Sequence, residues 1–143
     1  MDHIVYVDAK AKAQDLEEIL SGKRTMIIRG AAGRKLPYGR VHVGDILYLI
    51  RNNAEGLIRG KCTVDNVINS EKMSKEVSTQ LVKENQLKLN LTPKQFKRWA
   101  GKRYLVLLSI KEAQEVEPFA IDRSAYGNMD DWLPVEHIEN VQI

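Results

Sequence analysis

One cysteine in 143 residues, Cys62, excludes an internal disulfide and any multi-cysteine zinc site. The three histidines, His3, His42 and His137, stand too far apart to show metal-ligand spacing, so no metal and no cofactor is expected. Aromatic residues make up only 6% of the chain, and no apolar run approaches the roughly 20 residues that cross a bilayer. The first ten residues carry acid where a secretion signal carries base, and they lack a long apolar stretch. These absences predict a soluble, cytoplasmic protein. With 43% hydrophobic and 29% charged residues, the chain is the size of one globular domain, expected over residues 1–143. Internal repeats and low-complexity tracts are missing too.

Acid is absent from two long blocks. Residues 19–44 contain none, against the six bases Lys23, Arg24, Arg29, Arg34, Lys35 and Arg40. Residues 85–111 again contain none, against Lys88, Lys94, Lys97, Arg98, Lys102, Arg103 and Lys111. Residues 112–143 reverse the sign, with eight acids and Arg123 alone. The net charge of +3 hides this segregation. If the two blocks meet, they form a positive face that attracts polyanions. If the acidic tail folds across them, it is an internal counter-charge. Sequence alone leaves both arrangements open.

Residues 3–7 are β-rich and read as an opening strand. Leu16, Ile19 and Leu20 then recur at helical spacing, and Gly22 stands where a helix stops. Residues 25–28 read as a strand running into a glycine-rich, basic loop over 30–39, expected to be mobile. A strand over 46–50, a hairpin connection over 52–56 and a long strand over 57–68 follow, with Cys62 as a small core residue. Met73, Val77 and Leu81 form one stripe of a surface helix. Thr92, Pro93 and Gln95 combine an N-cap, a proline at the first helical position and a capping box, with Gly101 at the stop. Residues 104–110 are the most apolar stretch and read as a central strand buried on both faces. Residues 115–134, broken by Pro118, Gly127 and Pro134, read as irregular, and a short strand or turn is expected near 138–143. Strands outnumber helices and do not alternate with them. The fold class expected is α+β, a small mixed β-barrel with helices packed at its ends.

The run from Gly22 to Arg29, after a short amphipathic helix and before Val43-Gly44-Asp45 and a strand, resembles the ASCH domain of the PUA-like superfamily. The resemblance covers the order of elements over most of the chain. The family signature is glycine, any, lysine, any, any, glutamate, any, arginine. Gly22 and Arg29 match, Arg24 stands at the lysine position, and Ile27 stands at the glutamate position. The resemblance implies a PUA-like pseudo-barrel with a cleft beside the motif, in a superfamily that binds RNA or modified nucleobases. One branch hydrolyses acetylated cytidine with a lysine, a threonine and a glutamate. Arginine stays protonated and cannot replace that lysine as nucleophile or base. Only Lys23 and Thr25 stand near enough to substitute.

The expected ligand contacts follow from residue chemistry. Arg24 and Arg29 offer planar, paired donors for a phosphate or a base edge, or else form salt bridges to the acidic tail. Arg34, Lys35 and Tyr38 place an aromatic ring among positive charges on the glycine-rich loop and are expected to line the cleft. Lys97, Arg98 and Lys102 would steer a nucleic-acid backbone. Trp99 reads as core, beside Phe96 on a helix face, whereas Trp132 lies in a polar segment and reads as a base-stacking candidate or a plug of the barrel. Three functions are therefore open. They are an RNA- or modified-nucleotide-binding module, a small amidohydrolase using Lys23 and Thr25, and a structural or protein-interaction domain. Oligomeric state is not legible.

Overall fold

The computed structural model describes residues 1–10, 12–126 and 130–143. Gly127 and the pair at 128–129, read above as part of an irregular segment, lie outside the described residues. Among those described, six strands and four helices follow in the order β1 (Asp2–Val7), α1 (Asp15–Ser21), β2 (Met26–Ala31), β3 (Ile46–Arg51), β4 (Leu57–Asn69), α2 (Lys75–Glu84), α3 (Gln86–Leu89), α4 (Pro93–Trp99), β5 (Tyr104–Ala120) and β6 (Trp132–Glu136). The strands make one sheet ordered β2-β5-β4-β3-β1-β6, in which β1 runs parallel to β3 and every other pairing is antiparallel. The sheet curls into a half-barrel, and its β2 edge is laced to the opposite side by Arg29, which donates to the Tyr6 carbonyl of β1 at 2.7 Å.

Strand periodicity explains the core. In β5, Val106 and Leu108 point into the barrel with Val5, Leu47, Leu49, Cys62, Val64 and Trp132. Leu105 and Leu107 point outward and are covered by α2, α3 and α4 through Val82, Leu89, Phe96 and Trp99. The strand is thus buried on both faces, as its composition predicts. Helix α1 closes the barrel interior with Leu16 and Ile19 and ends at Gly22, whose φ of 82° is the left-handed conformation that favours glycine. The capping box of α4 is present in full, with Thr92 Oγ1 accepting from Gln95 N and Gln95 Oε1 accepting from Thr92 N.

Four local expectations need correction. Pro118 does not end the central strand. β5 continues to Ala120, and its pairing with β4 shifts register between Ile58 and Gly60, where a bulge absorbs a residue that cannot donate to the ladder. Pro134 likewise sits inside β6, an edge strand with a free side. The α2 stripe is displaced, since Val77 is 57% exposed while Ser78 and Val82 face inward. The loop after β2 is pinned instead of free, with Pro37 buried, the Tyr38 hydroxyl donating to the Ser70 carbonyl and Gly39 N donating to Asn69 Oδ1. At the chain end, a single 3₁₀ turn spans Ile138–Asn140, and Ile121 bridges Gln142. No helix among the described residues is long and apolar enough to cross a membrane.

Candidate functional site

A polar network fills the space between α1, α4 and the ends of β1 and β2. Arg24, only 5% exposed, directs its guanidinium at Glu18 Oε1 (3.1 Å), Asp15 Oδ1 (3.2 Å), Gln95 Oε1 (3.2 Å) and the Asn90 carbonyl (3.0 Å). Gln95 is the hub. Its Oε1 serves the α4 cap and Arg24, while its Nε2 donates to Asp8 Oδ2 at 2.9 Å and to Asp15 Oδ1 at 3.0 Å. Arg98 Nη1 closes on the same Asp8 oxygen at 2.7 Å. Burial pushes the Asp15 carboxyl above its ordinary range, and Arg24 and Gln95 only partly oppose it. Burial also pushes on Asp8, but the hydrogen bonds from Gln95 and Arg98 outweigh it and hold that carboxyl below its ordinary range.

Arg29 lies beside this network. Its Nη1 donates to the Ile28 carbonyl and its Nη2 to the Tyr6 carbonyl, and its guanidinium carbon stands 5.9 Å from the Trp99 ring centre and 5.6 Å from that of Trp132. Asp131 Oδ2 is 3.2 Å from Nε yet off the N–H direction, so this buried nitrogen is ion-paired without a hydrogen bond. Behind Arg29, Trp132 is fully buried, and its indole N–H donates to His3 Nδ1 at 3.1 Å. Because an indole only donates, His3 must carry its proton on Nε2, which reaches Asp45 Oδ2 at 2.9 Å.

That chain makes stability depend on pH. Burial is the main reason the His3 imidazole sits below its ordinary 6.5, although Asp45 pulls the other way. A second proton would also set an Nδ1–H against the Trp132 N–H. The unfolded chain binds a proton at His3 as pH falls through 6.5 while the folded chain resists it, so this contribution is full above 6.5 and is lost at lower pH. Urea unfolding at about pH 8 and about pH 5 should show a smaller loss of stability in His3→Gln than in the parent. Equal losses would contradict the assignment.

Two connected spaces open on the network. The inner one, about 30 Å³, has room for a water or two and is walled by Arg24, Arg29, Trp99, Gln95 and Asp131. The outer one, about 550 Å³, shares Asp8, Asn52, Gln95 and Arg98 with it and is rimmed by Lys10, Lys12 and Lys94. Its size suits a nucleotide or a similar small molecule. Arg98 lies against the Trp99 ring at 5.7 Å, which makes its guanidinium a braced flat wall of this hollow. Asp8 uses only Oδ2 in the bonds above, which leaves Oδ1 as an acceptor.

No family model matches the chain, and no curated protein matches it in sequence. Among solved structures it is similar to the crystal structure of ASCH from Zymomonas mobilis, with TM-score 0.68 and 14% identity over 97% of this chain and 92% of that one. A tyrosine-to-phenylalanine variant of that protein gives TM-score 0.66 at 14% identity, over 94% of this chain and 91% of the other. The fold is that of an ASCH domain.

Within this ASCH fold the signature positions take definite places. Arg24, at the lysine position, is buried in the network, and Ile27, at the glutamate position, is core. Lys23 and Thr25 are exposed and line neither the inner space nor the hollow; Thr25 edges a separate surface pocket beside Gly22 and Ile110. The counter-charge to Arg24 and Arg98 comes from Asp8, Asp15 and Glu18 in the first helix region, and Arg29 alone of these three pairs with the tail, through Asp131. Arg34, Lys35 and Tyr38 do not line the cleft; Arg34 and Tyr38 lie past the end of β2 against Tyr104. Lys97 and Lys102 are exposed outside both spaces, and Lys102 packs near Gly30. Of the two readings open for Trp132 the plug is the one seen, while Trp99, read as core, packs on the outer core and also leaves a partly exposed ring at the cleft. Asp8, Asn52 and Gln95 were not anticipated, because only the meeting of β1, β3 and α4 gives them a common target. Asp2, His137 and Glu139 bring ligating atoms within 4.8 Å of one another at the other end of β1, where Asp2 already accepts from Ile138 N.

Proposed function

We propose that this chain is an RNA- or modified-nucleotide-binding module whose ligand occupies the hollow beside Arg98. The supporting observation is the hollow itself, which combines a braced guanidinium wall, a free carboxylate oxygen and a lysine rim in about 550 Å³. A base stacks on Arg98, with Trp99 behind it. Its polar edge meets Asn52 and Asp8 Oδ1, and its phosphate faces Lys10, Lys12 and Lys94. Arg24 and Arg29 do not bind the ligand directly, because Arg24 Nη2 and both terminal nitrogens of Arg29 already hold carboxylates and carbonyls and Arg29 Nε is paired with Asp131; they fix the wall from behind. Superfamily resemblance supports the same class of ligand.

Arg98→Ala removes the stacking wall and the Asp8 pair at an exposed position. It should weaken binding of a labelled single-stranded RNA at least tenfold, read by fluorescence anisotropy, with stability changing by less than about 1 kcal/mol because exposed ion pairs contribute little. An unchanged affinity in Arg98→Ala would remove the hollow as the binding site.

A further inference from the structure

Cation pairing divides the basic residues into two groups. Every arginine at the cleft, Arg24, Arg29 and Arg98, holds a carboxylate within 3.2 Å. Among the described residues, no ion pair is formed by Arg34, Lys35, Lys102 or Arg103. These four are exposed, and the fold gathers them in one place. Strand β2 pairs with β5 from Met26 opposite Ser109 to Ala31 opposite Tyr104, so the middle of the first acid-free block meets the end of the second. Among the described residues, no acid of the tail pairs with these four. The tail's residues from Glu115 to Ala120 pair with the other half of β4. Glu71, which follows the Ser70 that contacts Tyr38 and Leu105, forms no ion pair among the described residues.

Two half-buried rings order the junction. Tyr38 and Tyr104 meet edge to face at 5.7 Å, and the Arg34 guanidinium carbon sits 5.7 Å from one ring centre and 5.6 Å from the other. The Tyr38 hydroxyl and Gly39 N tie the loop to the end of β4. A long, exposed side chain is thereby held in place before any ligand arrives, which lowers the entropy lost on binding. A flat cation backed by aromatic rings, with unpaired lysines around it, matches the backbone and bases of an unpaired strand. Trp99 leads directly here from the hollow, since Lys102 N donates to the Trp99 carbonyl and Tyr104 opens β5.

We infer that the Arg34–Tyr104 junction is a second contact surface for single-stranded nucleic acid, carrying the phosphate backbone of the strand whose terminal or flipped nucleotide enters the hollow. This rests on the nucleotide-binding reading above and adds a division of labour. The hollow recognises one nucleotide, and the junction supplies the length- and salt-dependent part of the affinity.

The test uses a labelled single-stranded RNA of about ten nucleotides, within the site sizes that such surfaces cover, and uridine monophosphate, each titrated across a potassium chloride series. For the double variant Arg34→Gln, Lys102→Gln, the slope of log affinity against log salt should fall by about 1.4 for the decamer, two contacts at roughly 0.7 each. Binding of the mononucleotide should stay unchanged. A decamer slope equal to the parent's would overturn the junction while leaving the hollow in place. Failure of the parent to bind either probe at low salt would overturn the nucleotide-binding reading and the junction with it. Both side chains are exposed and unpaired, so the variant retains its fold, which an unchanged thermal midpoint verifies.

Discussion

Arg24→Ala is expected to lower the unfolding free energy by about 3–5 kcal/mol, the range for breaking a buried pair by removing one partner. Arg24 is the cation that Asp15 and Glu18 face, and Asp15 is itself buried. Its removal leaves the Asp15 carboxyl with a single amide donor, Gln95, and takes a donor from the Asn90 carbonyl that ends α3. Urea unfolding measures the loss. The double variant Arg24→Ala, Asp15→Asn should recover part of it, because a neutral amide has no charge to strand. A loss below about 1 kcal/mol would mean that water reaches the network and that Arg24 behaves as a surface cation.

Trp132→Ala should cost a similar amount, about 3–5 kcal/mol, as large-to-small core substitutions of tryptophan do. The ring is fully buried among Val5, Leu47 and Leu49, and three neighbours depend on it. His3 Nδ1 loses its donor, Arg29 loses one of its two aromatic faces, and the start of β6 loses its anchor to β1 opposite Val5. Trp132→Phe separates these effects in part, since it keeps most of the apolar volume while deleting the N–H. It should cost about 1–3 kcal/mol for the acceptor left unpaired in the core. If Trp132→Ala unfolded no more readily than the parent, the plug assignment would fail and the ring would have to be mobile.

Most of the framework was legible because its signals are local. Gly22, the Thr92 capping box and the double-sided apolarity of residues 105–108 each act within one turn or one strand, and all three appear as read. What misled was also local evidence, overruled by position in the sheet. Pro118 and Pro134 signal irregular chain, yet a bulge and a free edge tolerate them. For Trp132 the polar neighbours leave a stacking reading open beside the plug, and the choice is made by β6, which closes the half-barrel beside β1 and turns that ring inward. Trp99 looked like core because of its spacing from Phe96, but α4 lies at the mouth of the cleft, so the same face is only half covered. The charge blocks were read correctly as blocks, whereas their partners were not. Glu18 stands only six residues before Arg24, across the turn that ends α1, whereas Asp8 is 90 residues from Arg98 and only the return of α4 over α1 sets those two together. Gln95 could have been singled out as a capping residue, but no sequence pattern marks an amide that also joins two carboxylates and an arginine.

The chain contains two tryptophans, and they provide the most direct test of the hollow as the nucleotide site. In a ¹⁵N-labelled sample each indole N–H gives its own cross-peak, assigned by the Trp99→Phe variant. Titration with uridine monophosphate and then with the single-stranded RNA should move the Trp99 signal, because Arg98 stacks on that ring at the wall of the hollow. The Trp132 signal should stay in place, since the ring is sealed behind Arg29 and bonded to His3. A Trp99 signal that does not move while the RNA is demonstrably bound would contradict the account.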